Sequence, residues 1–590
     1  MGAVPLRAET PETSPRVIQT GAFLPNCDSN SIFPGVGEMR FSALMFLAVL
    51  SMAIPAAAQD ACSWSRDVRL VNGKIHTMDA QDRVVSEVTI QEGRFAYIGA
   101  LAGRKLNPCT KVIDLQGRVA VPGLIDNHNH FVLFSQRPGY DVMVETSSSI
   151  PQAMAMLTER ARTAPAGAWV TAIGDWTPRL FAENRLPTLG ELDRAVPDHP
   201  VFFATFGPAI TNTMGEKFFE SKGIKVNSTT GALEGPAAAA ALGELRKMQT
   251  PEDKIRSAED AQAYVLRYGL TTSVDMGVFA DPGSPDLQDS FTFPGIASAN
   301  PWTVYDQILA LDHEHKLDER VRLFLLSMDQ TMELPILKER LRQVFPNFGD
   351  DMLRVSGIGE FASPWFANFA GGKHPENYET ALELVAHHGW PYQQHTLSLE
   401  EVQFTAETYA KVNAVTPVAD LRWSIAHVPA IDAQTLQSMK AIGVGMALHG
   451  WKYLQGGQGT PAGQPAGPPY RTILASGIHT GAGSDAGDIS VLDPWYEIYY
   501  MVTGKDCTGA LINSGEQVTR EQALRMYTAE NGWFFREESA LGSVETGKLG
   551  DVAVLSEDYF DPKGVPDEEI KKLRSVLTIV GGRVVYSDPH

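Results

Sequence analysis

The chain has 590 residues, of which 44% are hydrophobic and 20% charged; this suits a folded protein of several domains, or one large domain with attachments, and excludes disorder, collagen and a polytopic membrane protein. Lys and Arg number 49 against 70 Asp and Glu, a net charge of −21. That field repels phosphate backbones and anionic membrane surfaces, so nucleic acid is not expected as a partner, and an enzyme is the default class.

The one long apolar run near the amino end, residues 41–54, is too short to span a bilayer comfortably. It follows Met39-Arg40 and ends in Pro55-Ala56-Ala57-Ala58-Gln59, so residues 39–58 read as a secretory leader cleaved near Ala58. Residues 1–38 are proline-containing and aperiodic, and synthesis is expected to begin at Met39. The mature protein is therefore expected in the periplasm or outside the cell. Oxidation is allowed there, and Cys62 and Cys109 are expected to pair, leaving Cys507 alone.

After the leader come short β-rich pieces at 68–71, 74–78, 88–90, 95–98 and 111–115, with Asn72-Gly73 as a hairpin signal. The carboxyl end repeats the design at 551–555 and 577–586. Neither end has enough strands to bury a face alone, so residues 59–121 and 539–590 are expected to build one composite β-sandwich. Between them lie eight short apolar strands: 124–128, 271–276, 321–327, 353–360, 390–395, 423–427, 444–449 and 479–485. Helical patterns separate most of them. Ser398-Leu-Glu-Glu401 reads as a capping box, and Asp432 caps a helix that Gly443 closes. The alternation predicts an α/β fold, a (β/α)₈ TIM barrel, with its first strand in 122–139 and the remainder in 263–538. Residues 140–262 carry strands of their own and read as an inserted α/β domain. The Gly- and Pro-rich stretch 456–469 reads as a mobile lid.

The chemistry collects at the carboxyl ends of those strands, the face where barrel enzymes place their sites. In Pro122-Gly-Leu-Ile-Asp-Asn-His128-Asn-His130, two imidazoles two residues apart point the same way from an extended segment. His395, His427 and Asp485 each end a later strand. Four imidazoles and a carboxylate at one mouth suit Zn²⁺ or a similar divalent ion. His449 ends the seventh strand and is a candidate substrate contact or a structural histidine. Trp176, Trp365 and Trp451 are candidates to line a pocket for an aromatic or apolar amide, or to be core. His313-Glu-His315 imitates the metal pair but lies in a charged stretch and reads as a solvated helix end.

These segments, together with Leu186-Pro-Thr-Leu-Gly-Glu-Leu-Asp, Gly269-Leu-Thr-Thr and Gly547-Lys-Leu-Gly-Asp-Val-Ala-Val-Leu, resemble the amidohydrolase superfamily from about 66 to 586. The branch is similar to the one typified by N-substituted formamide deformylase (amidohydrolase family 3). The resemblance implies a (β/α)₈ barrel flanked by a composite β-domain, with His128, His130, His395, His427 and Asp485 as ligands of one or two divalent ions. It also makes Asp485 the proton-transfer group. A bound metal activates water and polarises a carbonyl, so amide cleavage needs no serine or cysteine nucleophile.

Two departures stand out. The branch usually has a bridging carboxylated lysine on the fourth strand, where this chain reads Ser356-Gly-Ile-Gly359-Glu360, and Glu360 could supply the bridge directly. A glycine-histidine pair common in the inserted segment reads Phe206-Gly207-Pro208. The expected function is cleavage of a carbon–nitrogen bond in a small molecule. Rival readings are esterase, lactonase or deaminase action on the same centre, or a binding or scaffolding protein with a decayed site. A homo-oligomer is compatible with the sequence.

Overall fold

The computed structural model describes residue 62 and residues 64–588, apart from 102, 206, 282–294, 365–372, 462 and 488. The leader at 39–58, Cys27, Phe206 and Trp365 lie outside the described residues.

Eight parallel strands form a nearly closed barrel sheet: β1 (Leu124–Asn129), β2 (Leu270–Asp275), β3 (Arg320–Leu325), β4 (Leu353–Glu360), β5 (Tyr392–His395), β6 (Ser424–His427), β7 (Gly445–His449) and β8 (Thr480–Gly483). Each pairs with the next in sequence order. Their residues are almost all buried, as expected of a sheet covered on both faces, and this is why the strands read as continuous apolar or small-residue runs. Gly357 on β4 is small for a visible reason: a Cβ there would lie 2.3 Å from the Phe324 ring of β3, which fills the interior.

The seam between β1 and β8 has no ladder. Asp485 N donates to His128 O at 2.8 Å, and Ser484 N donates to the Asp126 carboxylate at 3.1 Å. Asn531 closes the rest, its Nδ2 donating to Ile125 O and Ala482 O at 2.5 and 2.7 Å. Gly481 admits that amide, since a Cβ would lie 2.2 Å from Asn531 Oδ1.

Two smaller sheets join the chain ends. One has the order 94–98, 88–91, 68–71, 111–114; the other runs 583–587, 575–580, 552–555, 119–122, 74–76, 84–85. Val68, Leu70, Ile75 and Ile90 share one core with Val552, Val554 and Ile579. The hairpin expected at Asn72-Gly73 is not there: 68–71 and 74–76 lie in different sheets. The type I′ turn that Asn-Gly favours needs φ above zero at both central residues, and only Asn72 (φ 56°) has it. The turn instead carries the chain from one sheet to the other. Cys62 and Cys109 form a disulfide with Cα atoms 5.0 Å apart, and Cys507 is a free thiol.

Residues 140–233 contribute a five-stranded sheet ordered 232–233, 209–211, 201–204, 170–173, 140–141. Its side chains alternate between two cores, with Val170, Ala172 and Phe203 on one face and Ile173, Phe202 and Ala204 on the other. The boundary expected at 262 falls within a helix. Helix Pro251–Arg267 runs through it, capped by the reciprocal pair Thr250 and Asp253, and its Ala258, Ala261, Val265 and Leu266 pack into the barrel core.

Other local signals resolve as follows. Ser398 caps helix Leu399–Val415, accepting from Glu401 N, but Glu401 turns back to Leu397 N, so the box is incomplete. Asp432 caps helix Ala433–Ala441 as expected. The stretch expected to be a lid is tied down at its far end: Ala466 N donates to Ile512 O at 2.9 Å, Gly467 N to Asn513 Oδ1 at 3.0 Å and Asn513 Nδ2 to Pro468 O at 3.0 Å. His313 and His315 are exposed at the end of helix Asp306–His313.

Candidate metal centre

The strand ends converge. His128 lies within β1 and His130 just beyond it; Glu360, His395, His427 and His449 are the last residues of β4, β5, β6 and β7; Asp485 follows β8 by two residues. All seven are buried. His427 and Asp485 hold φ at +67° and +59°, a strained region for residues with a side chain, which turns the backbone sharply at the mouth of the barrel.

Glu360 occupies the middle. Its Oε1 lies 3.6 Å from His130 Nε2; its Oε2 lies 3.5 Å from His128 Nε2, 2.7 Å from His395 Nδ1 and 3.6 Å from His427 Nε2. Asp485 Oδ1 stands 3.4 and 3.5 Å from Nε2 of His128 and His130, and Oδ2 stands 3.6 Å from His427 Nδ1. Two sets of donor atoms, His128–His130–Glu360 and Glu360–His395–His427, each lie within 4.8 Å of one another and share Glu360. A third set is His128–His427–His449.

The far ring nitrogens show which way the lone pairs point. His130 Nδ1 donates to Gly277 O at 2.7 Å, and His128 Nδ1 donates to Gln393 Oε1. Each ring so anchored presents Nε2 to the centre as an acceptor, the arrangement that outer hydrogen bonds impose on metal-binding histidines. Nε2 of His128 is buried and makes no hydrogen bond among the described residues. A donor atom held free in a buried, carboxylate-rich space fits a divalent cation, and the imidazole and carboxylate set fits zinc-type chemistry.

The electrostatics agree. Burial opposes ionisation of Glu360, but His395, His128 and His427 outweigh it and hold its carboxyl well below the usual range. Asp485 is likewise depressed against burial, by His427, His128 and His130. Burial pushes His427 down to about 4 and His449, with help from His128 and His427, well below its ordinary value. His128 goes the other way: burial is overcome by Asp485 and Glu360, and its pKa is pushed up to about 9. The two carboxylates thus favour positive charge beside His128, whether a proton or a metal ion.

An amidohydrolase family model matches residues 111–586. The chain belongs to the amidohydrolase family. It is 24% identical over 550 residues to N-substituted formamide deformylase of Arthrobacter pascens, across 88% of this chain and 98% of that one. An uncharacterized metal-dependent hydrolase from Pyrococcus furiosus superposes with a TM-score of 0.54 at 20% identity, over 84% of this chain and all of the other. Atrazine chlorohydrolase TrzN from Arthrobacter aurescens TC1, crystallised with zinc, gives 0.50 at 16% identity over 88% and 95%. At these identities the solved structures carry the fold.

Around this amidohydrolase centre lie side chains the sequence did not announce. Gln393 orients His128, and its position two residues before His395 on the same strand was the one available hint. Asp175, from the inserted sheet, accepts from Gly487 N at 3.0 Å, two residues after Asp485. Asp175 is itself ion-paired with Arg137, which also reaches Asp141 at 3.1 Å. Gly487 must be glycine, because a Cβ would lie 2.5 Å from His130 O. The tryptophan expectations fare differently. Trp176 packs against Phe181 and Phe203 inside the inserted sheet's core. Trp451 is buried just past His449, with Lys452 Nζ 4.6 Å above its ring. His449 is buried in the imidazole cluster, with both ring nitrogens facing protein groups.

Proposed function

We propose that the protein is an exported, metal-dependent hydrolase that cleaves an amide-type carbon–nitrogen bond of a small molecule. The observation that carries this reading is the placement of Glu360 between His128–His130 and His395–His427, with Asp485 facing both pairs. Glu360 is the carboxylate that two ions would share if both donor sets were filled, on a shorter stem than a lysine, and the small residues Gly357 and Gly359 allow β4 to carry it there. Zinc is the metal assigned, from the nitrogen and oxygen donor set. Such an ion supplies Lewis acidity to activate water and polarise the scissile carbonyl.

The chain's own contribution is proton traffic and orientation. Asp485 faces the centre from beside His128, His130 and His427 and is the group that would accept a proton from the attacking water and deliver it to the leaving nitrogen. Gln393 and Gly277 O keep His128 and His130 in one tautomer. The flanking sheets support a composite β-domain built from both chain ends and an inserted α/β segment. Export rests on the apolar run 41–54 and the Ala56-Ala57-Ala58 signal, with maturation near Gln59, and the Cys62–Cys109 disulfide suits an oxidising compartment.

The test is metal analysis of the purified protein, with turnover assayed on N-substituted formamides, other amides, esters and lactones. Two ions per chain in the parent, falling toward one in Glu360→Gln, with amide turnover, supports the proposal. A metal-free, inert parent overturns it in favour of a scaffold, and ester or lactone turnover alone reassigns the reaction. Amino-terminal sequencing of the exported protein tests maturation near Gln59.

A further inference from the structure

His449 is the imidazole left over once the metal ligands are assigned, and its surroundings determine its protonation pattern from both ends. The backbone N–H of His427 can only donate, and it points at His449 Nδ1 at 3.2 Å, so that nitrogen is an acceptor without a proton. His427 Nδ1 lies 2.9 Å from the same atom, and two bare nitrogens would repel at that distance, so His427 carries its proton on Nδ1. A neutral His449 then bears its proton on Nε2, 3.2 Å from Asn127 Oδ1.

The far end of the chain gives the same answer independently. Ile125 O and Ala482 O can only accept, and both face Asn531 Nδ2 at 2.5 and 2.7 Å, which fixes that amide's orientation. Its Oδ1 therefore accepts from Asn127 Nδ2 at 2.9 Å, which in turn fixes Asn127 with Oδ1 toward His449. Every donor meets an acceptor from the β1–β8 seam to His427. At the end of the relay, His427 Nε2 is bare and faces Glu360 and His395, at 3.6 and 2.9 Å.

We propose that His449, held by Asn127 and Asn531, is a positioning residue that fixes His427 as its Nδ1–H tautomer and so aims the Nε2 lone pair into the metal centre. This rests on the metal-centre reading above. An imidazole is a suitable acceptor here because a carboxylate in its place would add a third negative charge to a pocket already holding Glu360 and Asp485. His449 lies outside the two donor sets that share Glu360, so the role assigned to it is the orientation of a ligand.

Two measurements decide it. Ring ¹⁵N shifts of His427 in metal-free protein should show a protonated Nδ1 and a bare Nε2; the opposite tautomer overturns the proposal. Zinc affinity, read by competition with a chelator, should fall about 10–100-fold in His449→Leu, the scale of losing an outer hydrogen-bond partner. His449→Gln should keep most of that affinity, since its Oε1 can accept from His427 while its amide donates to Asn127. Unchanged affinity in His449→Leu overturns the proposal, as does a loss in His449→Gln equal to that in His449→Leu, which would make His449 a direct ligand. Should the parent take up no divalent metal, the metal-centre reading fails by itself, and the tautomer still decides the relay.

Discussion

At the base of the barrel, Arg320 meets Asp551 through two hydrogen bonds of 2.7 and 2.9 Å, and Arg322 meets Glu537 through two of 2.8 and 3.0 Å. At the mouth, Asp485 and Glu360 face His128 and His130 at 3.4–3.6 Å. Both sets are buried and both set nitrogen against carboxylate. The pairs at the base are closed: each guanidinium fork is filled by its carboxylate and by main-chain oxygens such as Asp351 O and Met352 O. At the mouth His128 and His130, each anchored by an outer hydrogen bond, stand off from the carboxylates, while His395 closes on Glu360 at 2.7 Å. Bidentate closure serves the folded state, whereas a standoff leaves room for an ion or a substrate atom.

The contrast can be broken at either end. At the mouth, Asp485→Ala should lower turnover by about 10²–10⁴-fold, the scale of losing a positioned proton-transfer group, with circular dichroism unchanged. Asp485→Asn should keep its metal better than its rate; near-normal turnover would remove Asp485 from the mechanism. At the base the signs reverse. Asp551→Ala strands the Arg320 charge in the interior and should cost about 3–5 kcal/mol in denaturant unfolding, with the rate per folded molecule unchanged. Replacing both partners, Arg320→Met with Asp551→Leu, should recover much of that loss, because no buried charge is left uncompensated.

The smallest effect belongs to an exposed pair in the inserted segment. Arg185, with Thr188, holds the Glu191 carboxyl down to about 2 from 4.5 while capping helix Leu189–Ala195. A depressed carboxylate contributes stability above its unfolded pKa and loses it as the pH falls, so this contribution should disappear between about pH 4.5 and 2. Arg185 is largely solvent-exposed, which keeps the effect small and salt-sensitive. Thermal melts of Glu191→Gln should show a shallower acid limb than the parent; identical limbs would mean that the pair contributes nothing.

Legibility in the sequence divides along similar lines. The eight barrel strands were legible because each is a short buried run, and His128, His130, His395 and His427 because a histidine at a strand end is rare enough to count. Asn127, Gln393 and Asn531 were not. They act through tertiary contacts separated by hundreds of residues, as between Asn127 and Asn531, and an amide in a strand has no spacing that marks it. Asn72-Gly73 misled because the local turn signal is indifferent to which sheet receives the chain. The sequence pattern could not place the boundary near 262 relative to helix Pro251–Arg267, because a helix that covers the barrel and a helix of the insertion have the same periodicity.

The bond from Asp175 to Gly487 N has a consequence for engineering. Insertions in barrel enzymes invite exchange as modules, to import a new specificity on an unchanged catalytic frame. Here the frame is not self-sufficient: the segment that carries Asp485 is anchored to a carboxylate supplied by the insertion and neutralised by Arg137 of the barrel. A transplanted insertion without an acid at that point would take one of the two carboxylates from Arg137, leaving it Asp141, and would leave the Gly487 amide unanchored. Any chimera at this junction should therefore carry the residue equivalent to Asp175 across with the graft.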